Sequence, residues 1–283
     1  MIVLDTADAM RAWSEEQRRL GKTIGFVPTM GALHEGHAML MRAAAQDNDV
    51  AVASIFVNPT QFAPHEDFDR YPRTFEADRA LCSECGVVAI YAPRKDAAYP
   101  PGYATYVNVE GLSEGLCGKS RPIFFRGVAT VVTKLFNVVR PHRAYFGQKD
   151  GQQCAVIQRM TQDLEFGIEI VVMPTVREPD GLAMSSRNRY LNAEERQRAL
   201  CLSRSLFEAE RMMKAGERNA AHIVDAVRKG MADVQIDYVE LVDAATIQPV
   251  EYVERTVLLA VAAFVGQARL IDNIKFEVPQ PCC

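Results

Sequence analysis

Two histidines three residues apart, His34 and His37 in FVPTMGALHEGH, stand just after an apolar run and a glycine. Imidazoles can bind a metal, act as a base, or donate hydrogen bonds to phosphate. A zinc-hydrolase helix would carry H-E-x-x-H, with its histidines four apart on one face. Here the interval is one residue shorter, and no third ligand can be named. Two ordinary surface histidines at a helix start are the plainer alternative. A third reading uses position: strand, glycine-bearing turn, helix amino terminus. Unbonded N–H groups and the helix dipole make such a turn an anion site. Gly31 lets the backbone approach a ligand, and first-turn imidazoles can donate to phosphate oxygens as charge develops. The stretch is neither a Walker P-loop nor G-x-G-x-x-G. It reads as a nucleotide site of another kind, suited to a triphosphate.

Two further groups have matching chemistry. Lys149 and Asp150, in FGQKDGQQ, follow a short strand and a turn at Gly147. Strand ends of open α/β sheets are where ligands sit. Lys149 can neutralise phosphate charge, although a solvated lysine is the simpler alternative. Asp150 can accept from ribose hydroxyls or cap the next helix, and the residue types leave both open. Ser185, Ser186 and Arg187 follow EPDGLA, whose turn residues and glycine suit a movable loop. Two hydroxyls and a guanidinium are flexible donors for phosphate oxygens.

The elements that must position these groups alternate in type over the first ~175 residues. KTIGFVP, DVAVASIFVNP, VVAIYAP, RAYFG and IEIVVMP read as strands. EGHAMLMRAAAQ, TFEADRALCSEC (with Thr74 as its cap) and GQQCAVIQRM read as helices. GVATVVTKLFNVV is β-branched, yet about three turns long with small and apolar positions that suit a buried helix. Alternation of this kind predicts a Rossmann-like parallel sheet with helices on both faces. Beyond residue 176 the texture changes. Asn192 and Glu195 form a capping-box pattern before a long helix to about Lys214. NAAHIVDAVRKGMA reads as a second helix, and three strand-like runs follow. The division expected is 1–176 for a catalytic domain and 177–283 for a smaller α+β domain, with the serine-bearing loop at its start.

Composition excludes several classes. The net charge of −4 argues against a general nucleic-acid binder. No apolar run approaches the ~20 residues that span a bilayer, and no secretory leader is visible, so the cytoplasm is the expected location. The seven cysteines have no disulfide rhythm. Cys82 and Cys85 read as two helix thiols rather than a zinc pair, and Cys282 and Cys283 as a reactive tail.

Together these motifs resemble a known family. HEGH resembles the H-x-G-H motif of the nucleotidyltransferase and class I aminoacyl-tRNA synthetase superfamily, and MSSRN its mobile K-M-S-K-S loop. The closer resemblance is to pantoate–β-alanine ligase. VPTMGALHEGH, SIFVNPTQF, RYPRT, FRGVATVVTKLFN, FGQKDGQQ, DGLAMSSRNRYL and ARLIDN are similar to that family's segments, in order, from about residue 22 to 274. The resemblance implies ATP-dependent joining of pantoate to β-alanine through pantoyl adenylate, with magnesium and a homodimer. It implies catalytic roles for His34, His37, Lys149 and Arg187. It implies an ATP site of Met30, Gly31, His34, His37, Gly147, Lys149, Asp150, Val176, Met184, Ser185, Ser186 and Arg187. Gln61 and Gln153 match the glutamines that hold pantoate, with Asn58 bracing them, and Asp78 is implied to help magnesium through water. The second domain is expected to act as a lid.

Three positions depart from the family pattern. Phe124 stands in RPIFFRG where the family has histidine, Gly151 where an aromatic follows K-D, and Cys117 where an acid is common. Gly151 is expected to loosen the packing beneath Lys149 and Asp150, and the three together to alter kinetics without abolishing function. Two other readings compete: a superfamily relative that transfers a nucleotidyl group without making an amide, and a non-catalytic nucleotide sensor. The first has no use for Gln61 and Gln153; the second has no need to keep Lys149 and the serines.

Overall fold

The computed structural model describes residues 1–64 and 66–278, so Cys282 and Cys283 lie outside the described residues. The elements run β1 (Ile2–Leu4), α1 (Ala7–Arg19), β2 (Ile24–Thr29), α2 (Glu35–Asp47), β3 (Val50–Ile55), α3 (Phe75–Glu84), β4 (Val87–Tyr91), α4 (Lys95–Ala98) and α5 (Cys117–Ser120). Then come α6 (Phe124–Val139), β5 (Arg143–Gly147), α7 (Gly151–Asp163), β6 (Glu169–Met173), α8 (Ala193–Lys214), α9 (Ala220–Gly230), β7 (Gln235–Asp243), β8 (Val257–Val265) and β9 (Ala268–Phe276). Among the described residues no helix is long and apolar enough to cross a membrane.

Six strands form one parallel sheet in the order β1-β4-β3-β2-β5-β6. From β2 the chain steps outward to β3 and β4, then returns to β5 on β2's other side. The order therefore reverses between β2 and β5, the switch point where open α/β sheets bind ligands beyond their carboxyl ends. β2 is buried along nearly its whole length because both faces are covered. The Phe26 ring meets Phe136 of α6 at 6.5 Å, while Val27 joins Ala38, Met41 and Cys82 in a core with α2 and α3. Each such side chain contributes roughly 1.5–3 kcal/mol of transfer free energy. This is the expected fold class.

α6 is a helix despite its β-branched residues, because eleven of its positions are buried and tertiary packing outweighs propensity. It ends at Arg140, which adopts a left-handed φ of 49°. Gly127 presses this helix against the chain after β3. A Cβ there would fall 2.6 Å from the Gln61 amide nitrogen and nearer still to the Thr60 carbonyl oxygen. Thr74 stands at the cap of α3 but makes no capping bond. Its hydroxyl donates instead to Asp78 Oδ1 at 3.1 Å. Cys82 and Cys85 are free thiols inside the core, and burial pushes Cys82 up to about 12.

The chain divides into two compact units. The first holds residues 1–109, 121–147 and 156–173; the second holds 110–120, 148–155 and 174–283. In the second, β7, β8 and β9 form an antiparallel sheet. α8 and α9 cover one face, with Leu202, Leu206, Met213, Ile223 and Val227 against Val239, Leu259 and Val261. On the other face Leu258 lies against Gly151. The α8 capping box forms as the sequence indicates: Glu195 N–H donates to Asn192 Oδ1 at 2.8 Å and Asn192 N–H to Glu195 Oε2 at 2.9 Å.

Candidate active site

In the first unit the turn after β2 is organised around a carboxylate. Gly31 and Ala32 both take left-handed φ values, 81° and 50°. Asp78, 3 % exposed, accepts from Ala32 N–H at 3.0 Å and Leu33 N–H at 2.8 Å, as well as from Thr74. Gly31 N–H donates to Thr29 Oγ1 at 3.1 Å. Glycine suits position 31 on two grounds: its φ, and a Cβ that would sit 3.0 Å from Asp78 Oδ2. The backbone donors expected to receive an anion are thus engaged within the turn, which corrects that part of the sequence reading.

The histidines are set one step further on. His34 is the N-cap of α2, and its Nδ1 accepts from Gly36 N–H at 3.1 Å. His37 Nδ1 accepts from His34 N–H at 3.3 Å, closing a capping box made of two imidazoles. The rings lie 4.1 Å apart, tilted by 45°. A backbone N–H can only donate, so each neutral ring carries its proton on Nε2.

Beside this turn, Met30, Asn58 and Gln61 are brought together. Asn58 is 1 % exposed; its Nδ2 donates to Gln61 Oε1 at 2.9 Å and to the Gly127 carbonyl at 3.0 Å. Its Oδ1 accepts from Tyr99 Oη and Thr60 Oγ1, each at 2.9 Å. The Gln61 amide is thereby oriented, with Nε2 toward Met30 Sδ at 3.1 Å. Sulfur is a weak acceptor, so this amide can exchange it for a carboxylate or hydroxyl at little loss. Sequence reasoning does not find Tyr99 or Thr60; only the fold brings Tyr99, forty-one residues away, to Asn58. Gly147 ends β5, the neighbour of β2, so both strands open at the same edge of the sheet.

In the second unit, Lys149 and Asp150 lie in a 3-10 turn over Gln148–Asp150, with Nζ and Oδ2 3.9 Å apart. Gln153 is half-buried on α7, whereas its neighbour Gln152 is buried and structural. Gln152 Oε1 accepts from Cys117 N–H at 3.0 Å, and its Nε2 donates to the carbonyls of Leu112 and Gly115 at 2.9 and 2.8 Å. Val176 and Met184 are paired at the base of a hairpin, Met184 N–H donating to the Val176 carbonyl at 2.9 Å. The hairpin turns through Glu178–Gly181, where Gly181 has φ 96°. Ser185 caps the 3-10 turn Ser186–Tyr190 by accepting from Arg187 N–H at 3.2 Å, separate from the Asn192 cap of α8. Its O–H remains a donor. Among the described residues no cluster of three His, Cys, Asp or Glu side chains could hold a metal.

The family profile described as Pantoate-beta-alanine ligase matches residues 2–275. The chain belongs to this family. A pantothenate synthetase of Thermotoga petrophila is 57% identical over 276 residues, 96% of this chain and 99% of the relative. One of Moorella thermoacetica is 57% identical over 281 residues, 98% and 99% of the two chains. Among solved structures, pantothenate synthetase from Thermus thermophilus is 44% identical, covers 97% of this chain and 99% of that one, and gives a TM-score of 0.91. A pantoate-beta-alanine ligase from Francisella tularensis, complexed with beta-gamma ATP and beta-alanine, is 31% identical, covers 97% of each chain and gives 0.79.

Two departures from the ligase pattern acquire a physical account. Phe124 takes the Arg121 guanidinium 3.9 Å above its ring. The same guanidinium pairs with Glu66 at 2.5 and 2.7 Å and donates to the Gln61 carbonyl at 3.2 Å. An aromatic face thus supports the arginine that braces Gln61. Gly151 does not loosen its surroundings. A Cβ there would fall 2.9 Å from Gln148 Nε2 and 3.1 Å from Leu258, so neighbouring side chains already fill the space beneath Lys149. Cys117 is buried at the start of α5.

Proposed function

We infer that this chain is an ATP-dependent pantoate–β-alanine ligase. It condenses (R)-pantoate with β-alanine to pantothenate through pantoyl adenylate, releasing AMP and pyrophosphate. The single observation that carries this is the family match over residues 2–275. The compounds named for the Francisella tularensis relative, beta-gamma ATP and beta-alanine, support the reading.

A carboxylate is a poor electrophile toward an amine in water. Pantoate's carboxylate oxygen first attacks the α-phosphorus of ATP, and the bond to pyrophosphate breaks. The β-alanine nitrogen then attacks the acyl carbon, and AMP departs with the bonding electrons. The chain's contribution is donors and orientation. In this reading His34 and His37 give Nε2–H to phosphate oxygens, and the Lys149 ammonium offsets charge as pyrophosphate leaves. Ser185, Ser186 and Arg187 hold the outer phosphates. Met30, Gly31, Gly147, Val176 and Met184 line the nucleotide, and Asp150 accepts from its ribose. Gln61 and Gln153 hold pantoate, with Asn58 fixing Gln61. Magnesium belongs to the reading as MgATP, held by the substrate's own oxygens. Asp78 already receives three donors, so a water-mediated hold is the most it can add. The lid role of the segment after residue 176, a homodimer and a cytoplasmic location complete the reading on resemblance alone.

The test follows AMP and pyrophosphate release from MgATP, with pantoate and β-alanine added singly and together. Sustained AMP release requiring both, with one turnover of pyrophosphate on pantoate alone, supports the ligase. Silence with both substrates in protein that binds ATP would favour a sensor. Lys149→Ala is expected to lower turnover at least ~10-fold; near-normal turnover in folded protein removes Lys149 from the mechanism.

A further inference from the structure

The segment ARLIDN is one the sequence singles out and the chemistry above leaves without a task. Its Asp272 and Asn273 are consecutive on β9, so their side chains leave the strand on opposite faces. Both are buried, at 2 % and 5 % exposure.

Asp272 meets Arg177 in a two-pronged pair, Nη1 to Oδ2 at 2.6 Å and Nη2 to Oδ1 at 3.0 Å. Arg177 stands one residue above the base of the hairpin that leads to Ser185–Arg187; it bridges to Ala183, and its Nη1 also donates to the Gly181 carbonyl at 3.2 Å. Its guanidinium lies 4.7 Å above the Phe207 ring of α8. Asn273 faces the other way. Its Nδ2 donates to two successive carbonyls, Gln148 at 2.9 Å and Lys149 at 2.8 Å, and its Oδ1 accepts from Gln148 Nε2 at 3.0 Å. A planar amide with two N–H groups and one oxygen satisfies all three contacts; an aspartate of the same size satisfies none of the carbonyls.

Stability alone is a weak reason for this arrangement. A buried ion pair contributes little over a well-packed apolar pair of similar volume, and what it adds is a fixed geometry. Burial pushes the Asp272 carboxyl above its ordinary value, with Arg177 the foremost group pulling it back.

We propose that Asp272 and Asn273 are positioning residues for the reaction, one dipeptide that fixes the Lys149 turn and the Arg177–Arg187 loop to the same strand. The proposal rests on the reading that Lys149 and the loop serve ATP. Asn273 acts through the carbonyls that set the Lys149 backbone; Asp272 acts through Arg177. Neither touches substrate.

The experiment is a double-substitution cycle read by initial rates of pyrophosphate formation and by KM for each substrate, with Tm recorded for every variant. Asn273→Ala is expected to lower kcat about tenfold and leave the KM for pantoate within about twofold. In a Lys149→Ala background the same change should add less than about twofold, because the group it positions is gone. Arg177→Lys keeps the charge but loses the fork, and should raise the KM for ATP about fivefold. Asn273→Asp, the same size without the donors, should reproduce Asn273→Ala and serves if the alanine variant does not fold. Wild-type rates in both Asn273 variants, or an equal loss with and without Lys149, overturn the proposal. So does a rise in both KM values together with a fall in Tm, the pattern of a merely structural role. A Lys149→Ala protein with normal turnover overturns instead the reading of Lys149, and the Asn273 half with it.

Discussion

The turn at 30–37 and the loop at 177–188 are assigned to the same nucleotide, yet they are held by different forces. The turn is bound by buried, directional bonds: Asp78 at 3 % exposure takes two amides and a hydroxyl, and two imidazoles cap the helix behind it. The far end of the loop is held by half-exposed charges. Arg196 reaches Glu178 at 2.5 Å and Asp180 at 2.8 Å, with side chains between 21% and 30% exposed, and Asn188 Nδ2 donates to Glu178 at 2.6 Å. Buried bonds are shielded from salt, whereas exposed pairs are screened and individually weak. The contrast teaches how differently two segments of one chain can be held in place. The loop combines both kinds of attachment: the buried Arg177–Asp272 pair at its near end and the more exposed Arg196 contacts at its far end.

The largest effect expected separates capping from chemistry in the turn. Asn is among the best N-cap residues and Gln suits the third position of a capping box. His34→Asn with His37→Gln should therefore leave Tm almost unchanged while adenylation falls at least about a hundredfold. A matching loss of stability would show that the imidazoles serve the helix alone. Next is Asp78→Asn, which can accept on one oxygen only and turns an N–H₂ toward backbone donors. A loss of about 2–3 kcal/mol in chemical denaturation is expected, insensitive to salt. Arg196→Ala should be smaller, about 1 kcal/mol or less, and most of it should vanish in 1 M salt. If salt leaves that difference intact, the contrast between the two regions fails.

The smallest effect concerns pH and lies outside both. His142 Nδ1 accepts from Ile24 N–H at 2.9 Å, and burial, followed by the Arg18 and Arg143 charges, holds the ring below its ordinary 6.5. Its folded value lies below the unfolded one, so the folded state binds fewer protons. Stability is unaffected above about 6.5 and declines as pH falls below it. His142→Gln should flatten that decline in melts between pH 7 and pH 5.

Much of this is legible in sequence for a definite reason. β2 and α2 announce themselves by periodicity, and the Asn192–Glu195 box by local spacing, because both are short-range facts. α1 is equally readable, with Thr6 accepting from Ala9 N–H and Met10 buried, but the sequence reading weighs that stretch only as a leader. The bonds of Asp78 to the turn are not legible: its partners Ala32 and Leu33 are forty-six and forty-five residues away, and nothing near Asp78 signals them. The same holds for Asn273 beneath Lys149, 124 residues apart. Residue types suggest what the site handles; long-range bonds decide which groups are left to do it.

The patchwork make-up of the second unit has a consequence for synthesis. Residues 110–120 and 148–155 leave the ribosome well before the strands they pack with, and β9 ends at Phe276. Roughly 120 residues separate residue 155 from that strand's end, so at ~5–20 residues per second the wait is on the order of ten seconds. Through that interval Gln148 and Gly151 lack the Asn273 and Leu258 side chains they meet, while the parallel sheet can close as soon as β6 emerges. A nascent chain stalled between the two events would show a finished first unit trailing two segments without their partners, a state that chaperones and proteases can recognise.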